Sequence, residues 1–215
     1  MRTPLAPRLP DALEPLAAPR LGDGARLDEV ALDGVEAPEL SARGLELARA
    51  RLTACDLVGA RLARPELTDA VLERCSLAGA LLQDAIVSRV AFDACRLSGL
   101  TWAEGSLEDV TFRDCRLDLA GFRHLRMQRV RFEGCDLREA DFAAARGRDV
   151  RFERCDLGGA TFAGARFEAS ELRGCTLEGI SGADGLRGAA LPWPDVVGLA
   201  GAMATALGIQ VLEDD

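Results

Sequence analysis

Cysteine is the side chain with the most chemistry on offer in this sequence. Cys55, Cys75, Cys95, Cys115, Cys135, Cys155 and Cys175 recur at one constant interval of twenty, without exception. An odd number of evenly spaced cysteines fits neither a disulfide framework nor the paired C-x-x-C ligands of a zinc site. In a parallel stack of coils, neighbouring thiols would lie about 4.8 Å apart with their Cβ vectors side by side, a poor geometry for disulfides. The cysteines are therefore expected to be small buried hydrophobes that stay reduced and bind no metal. His124 is the only histidine, within GFRHLRMQRVRF. A catalytic histidine needs a nucleophile or an orienting carboxylate within reach, and none is apparent here. No P-loop, GxGxxG or GxSxG occurs. The expectation is a chain that is not an enzyme, with no catalytic residue and no cofactor. Arg123, Arg126, Arg129 and Arg131 remain as a candidate interaction patch, with no acid between residues 119 and 132. The patch reads either as a solvated face paired with carboxylates of adjacent coils or as a docking site for an acidic partner.

The cysteine spacing demands an element that repeats at the same interval, and internal repeats take precedence over any other reading. Leu57, Leu77, Leu97, Leu117, Leu137, Leu157 and Leu177 follow each cysteine by two. A finer period of five runs beneath, with leucine at 52, 57, 62, 67, 72, 77 and 82, continued by Phe92, Trp102, Phe112, Phe122, Phe132, Phe142, Phe152 and Phe162. The position two earlier is small or aliphatic, as in Ala50, Ala60, Ala70, Ala80 and Val90. A helix of 3.6 residues per turn makes no stable stripe from this pattern. A chain that turns a corner every five residues does, and four such units close one coil and complete the longer period. Three of the four columns are regular. The fourth is not: Gly105 stands in a small position, Leu125 fills another, and Gly147 empties a large one. Filling of that gap by Met127 and Phe167 is expected, with a bound ligand or a bent coil as the alternatives.

These motifs resemble the pentapeptide-repeat family, most clearly in CDLVGARLAR, CSLAGALLQD, CDLREADFAA and CDLGGATFAG. The resemblance implies an all-β fold, a right-handed quadrilateral parallel β-helix of about eight coils followed by a C-terminal α-helix. It also implies a non-catalytic role as a rigid protein-interaction scaffold. The alternative it brings is that of the MfpA- and Qnr-type quinolone-resistance proteins, acidic DNA mimics that bind DNA gyrase or topoisomerase IV.

Residues 1–24 hold five prolines, three arginines and three acids, and read as an N-terminal lead-in or cap. Residues 25–186 are expected to form the β-helix and residues 187–215 a capping and dimerisation helix with an acidic tail. Val196, Leu199, Met203 and Leu207 make a large apolar stripe expected on the coil end. Gly198, Ala202 and Ala206 make a small one, expected at a homodimer interface. The chain of 215 residues is 48% hydrophobic and 28% charged, a globular composition. Its net charge of −9, with every basic residue an arginine, disfavours direct nucleic-acid binding. No signal peptide is visible, and the apolar run from Val196 falls short of the roughly 20 residues that span a membrane. A cytoplasmic address without membrane contact is expected.

Overall fold

A corner every five residues requires the backbone to leave the extended region at fixed intervals. The computed structural model describes residues 2–17 and 19–210. In it every fifth residue from Gly24 to Gly179 is left-handed, with φ between 46° and 71°. Most of these corner residues are not glycine, and the left-handed region costs an L-residue roughly 1–2 kcal/mol. The cost is offset where the corner N–H donates to a carbonyl in the next coil, as from Arg49 to Thr68 at 3.0 Å and from Ala54 to Glu73 at 2.9 Å. Between corners lie short strands, all parallel, and most pair with the strand one full coil later in the chain. Leu32, Leu52, Leu72, Phe92, Phe112, Phe132 and Phe152 thus stack in one register. The result is the quadrilateral parallel β-helix of about eight coils that the sequence implies.

The core lies on the rod axis and changes material along its length. Leucine fills the first coils, and two phenylalanine ladders fill the later ones. Phe92, Phe112, Phe132 and Phe152 stack with centroids 4.8, 4.8 and 5.0 Å apart. Trp102, Phe122, Phe142 and Phe162 stack at 5.3, 4.7 and 5.1 Å. The two ladders meet edge to face, the other favourable aromatic geometry. Trp102 is buried and its Nε1 has no partner, an exception to the rule that buried donors are paired.

The ends are covered differently. Glu14–Pro15 adds a strand to Val30–Ala31, and Leu16 and Leu21 pack on the first coils. Residues 2–8 continue along the side of the rod, where the main-chain N–H of Arg8, Leu5 and Arg2 donate to Asp69, Asp109 and Asp149 at 3.0, 3.0 and 2.9 Å. At the other end a 3-10 turn, Ala183–Leu186, leads into helical segments Trp193–Gly198 and Ala200–Ala206. The Asp195 carboxylate accepts the Gly174 N–H at 2.8 Å and so caps part of the last edge.

Leu199 is buried against the coil end, as its stripe predicts. The division of the two stripes fails at three other positions. Ala202 packs against the core, whereas Met203 and Leu207 are exposed. The helix is interrupted at Leu199, where the N–H bonds to the Val196 carbonyl in a tighter turn, and one stripe is not buried along both short segments. Leu212 and the acidic Glu213, Asp214 and Asp215 lie outside the described residues. Among the described residues no helix is long and apolar enough to cross a membrane.

Candidate interaction surface

Because successive coils stack in register, equivalent residues of each coil form columns on the outside as well as in the core. Charge pairing on this rod is therefore a matter of columns. One corner column reads Glu29, Arg49, Asp69, Arg89, Asp109, Arg129 and Asp149, acid and base alternating. Arg89 grips Asp69 with Nε and Nη2 at 2.6 and 2.7 Å, and Arg129 grips Asp109 at 2.6 and 2.8 Å. Such two-pronged, charge-assisted contacts are the strong kind. The Arg89 guanidinium holds the Asp69 carboxyl below its ordinary range, helped by the Arg8 N–H. At Asp109, burial pushes the other way but is outweighed by Arg129 and the Leu5 N–H, so its carboxyl is also held low.

The four arginines singled out in the sequence do not share a face. They follow one coil around its perimeter, and three of them are neutralised. Arg123 pairs with Asp141 at 2.9 Å, Arg129 with Asp109 and Glu108, and Arg131 with Glu153 at 2.5 Å. Arg126 has no carboxylate within salt-bridge distance among the described residues. Its column explains why: Arg126 aligns with Arg146, and Arg146 with Arg166, on three consecutive strands. Arg148 stands one outward position away on the same face. None of these four is ion-paired among the described residues, and all are exposed. Like charges opposed across a strand pair are unfavourable. The row flanks an open concavity of about 540 Å³ that also presents Ser106, Gln128, Glu108 and Glu168. Exposed guanidiniums stacked about one strand spacing apart suit a row of carboxylates better than any single anion. The sequence signal for this column was its interval of twenty, the same one that marks the cysteines.

The remaining candidate residues are structural. The cysteines from Cys55 to Cys155 are buried, Cys175 is half-buried, and all seven are free thiols. Cys75, Cys95, Cys115 and Cys135 lie 3.3–3.5 Å from carbonyls of the preceding coil, a weak use for a thiol proton. Interaction with the neighbouring thiols of the column, together with burial, pushes the Cys55, Cys115 and Cys175 thiols up. The leucines beside them are buried at all seven positions. His124 is an exposed corner residue with φ 59°. Leu125 is fully buried. At Gly147 an added Cβ would lie 2.5 Å from the Phe167 ring, so Phe167 occupies the emptied position. Gly105 has φ 111°, and an added Cβ would collide with the Ala85 carbonyl. No cluster of three or more metal-ligating side chains occurs among the described residues.

Residues 45–122 and 106–181 match the family model described as pentapeptide repeat region. No curated protein matches the sequence. Among solved structures, the chain is similar to a trypsin-treated variant of QnrB1, a plasmid-mediated fluoroquinolone resistance protein. The identity is 20%, over 94% of this chain and 98% of that one, with a TM-score of 0.49. It is also similar to HetL, a pentapeptide repeat protein involved in heterocyst differentiation regulation, from the cyanobacterium Nostoc sp. strain PCC 7120. That identity is 19%, over 80% and 91% of the two chains, with a TM-score of 0.41.

Proposed function

The chain belongs to the pentapeptide-repeat family, and from that premise we propose that it is a non-catalytic interaction scaffold that docks an acidic protein segment on the Arg126–Arg146–Arg166 column. The observation that carries this reading is the absence of paired carboxylates on that column among the described residues, on a rod where the alternating corner column is paired to near neutrality. Three guanidiniums at strand spacing, with Arg148 beside them, gain most from a ligand that brings several carboxylates at once. A rigid rod adds little ordering cost on its own side of the complex.

The reading as a duplex mimic for DNA gyrase or topoisomerase IV calls for a contiguous acidic face. The alternating column and the arginine row favour the scaffold instead. A second copy of the chain is the partner we infer for the C-terminal end, where Trp193, Val197, Met203, Leu207 and Ile209 are exposed beside an apolar concavity floored by Leu186, Leu191 and Leu199. The cytoplasm is the compartment that suits free, evenly stacked thiols.

The docking proposal is tested with a fluorescently labelled oligoglutamate peptide, with anisotropy followed at low and high salt. Saturable binding that weakens as salt rises supports it. No binding at low salt, or preference for duplex DNA of the same charge over the peptide, overturns it. Gyrase supercoiling with and without the protein, and with a quinolone, tests the competing reading. Inhibition, or protection from the drug, would establish that reading in its place.

A further inference from the structure

The segment Arg2-Thr3-Pro4-Leu5-Ala6-Pro7-Arg8-Leu9-Pro10 carries proline at every third position. Its Arg2, Leu5 and Arg8 N–H groups, also three apart, donate to Asp149, Asp109 and Asp69, which stand two coils from one another. These intervals describe one length. Three residues of polyproline II rise about 9.3 Å, and two coils of the rod rise about 9.6 Å. Polyproline II also has three residues per turn, so all three donors point one way and the prolines form a separate edge. Pro4, Pro7, Leu9 and Pro10 are half-buried, whereas Arg2, Thr3, Leu5, Ala6 and Arg8 are exposed.

Two of the receiving carboxylates are oriented from within the rod. Both oxygens of Asp69 and of Asp109 are held by the arginine of the next coil. Each Oδ1 retains capacity for one further donor, and the arm supplies it. Acids therefore occur on every second coil because the coils between carry the arginines that orient them.

We propose that the Asp69–Asp109–Asp149 column is a recognition track for proline-rich polyproline-II segments, which the chain's own arm occupies in cis. The ligand class is a segment with a free main-chain N–H at every third residue and proline two residues after each one. An arm that leaves the track opens it to such a segment from another chain, and the arm is its resident competitor. The proposal is independent of the arginine column, which belongs to a different row of the rod surface.

Two proline variants of the full chain separate recognition from mere proximity. Leu5→Pro keeps the polyproline-II conformation but removes the N–H donated to Asp109. Thr3→Pro keeps the conformation and removes an N–H that contacts no acid of the track. The probe is a fluorescent peptide of residues 2–10, titrated into each protein and read by anisotropy. It is expected to bind Leu5→Pro at least about tenfold more tightly than wild type, because the cis arm no longer competes. Thr3→Pro should match wild type. Equal binding to all three proteins overturns the proposal, as does equal binding of a peptide with its three prolines replaced by alanine, which keeps both arginines. Amide hydrogen exchange on the intact wild type supplies a second readout. Protection at Leu5 and Arg8 but not at Thr3 and Ala6 agrees with the track, and uniform exchange across the arm contradicts it.

Discussion

Leu117 lies at the centre of the Cys/Leu column with no exposed surface, packed by Leu97 below and Leu137 above. Leu117→Ala should cost about 2–5 kcal/mol in denaturant unfolding, because it opens a cavity that a stacked column cannot collapse. Cys115→Ala should cost much less, and Cys115→Arg should prevent folding; a Cys115→Arg protein that melts like wild type would contradict the inward placement. Gly105 is a sharper case. Its φ of 111° and the Ala85 carbonyl at the position a Cβ would take leave no room for alanine. Gly105→Ala should therefore lower the melting temperature well beyond Gly79→Ala, where an added Cβ meets open space at a left-handed corner. Equal shifts would assign the whole effect to the backbone angle. These roles differ in how plainly the sequence shows them. The inward residues are legible because packing selects side chains by size at every fifth position. The corner residues are not, because Arg, Asp, Ala, Glu, Leu119 and His124 all take the same left-handed angle, which the coil-to-coil hydrogen bonds impose.

At the scale of elements, the C-terminal helical segments and the N-terminal arm carry what regular coils do not. The helix was legible from Pro194, Asp195 and the uncharged run after them; its interruption at Leu199, and which residues it buries, were not. The exposed Met203 and Leu207 predict a homodimer, and Leu207→Arg should place a charge against the partner's apolar surface. Sedimentation should show wild type at twice the mass of a folded, monomeric Leu207→Arg variant. A wild type that is monomeric at tens of micromolar would leave the helix only as a cap. The arm was legible as proline-rich, but its track was not, because recognition runs through main-chain N–H groups and through acids on alternate coils. The arginine patch shows the converse. Neighbours in sequence, Arg123 to Arg131, separate onto different sides, whereas Arg126, Arg146 and Arg166 come together.

For the whole molecule, ion pairs set the acid limit. Asp69 and Asp109, and also Glu153 beside Arg131, have carboxyls held below their unfolded values. Such groups bind fewer protons folded than unfolded, so their stabilisation is fully present above about pH 4 and is lost as pH falls through the lower folded values. Unfolding midpoints should therefore be flat from pH 7 to about 5 and decline below about 4. Asp109→Asn should show a shallower decline, and an unchanged acid profile would remove that carboxyl from the account. The rod as a whole is acidic, with a self-paired corner column and, among the described residues, the unpaired Arg126–Arg146–Arg166 row beside it.

That contrast is tested most directly within a single coil. Arg123 and Arg126 are both exposed, three residues apart; Arg123 is paired with Asp141, and Arg126 belongs to the unpaired row. Each variant, Arg123→Gln and Arg126→Gln, removes one positive charge. With oligoglutamate as the ligand, Arg126→Gln should weaken binding severalfold and Arg123→Gln should leave it nearly unchanged. Equal losses would mean that the peptide senses only net charge, and the docking column would not exist.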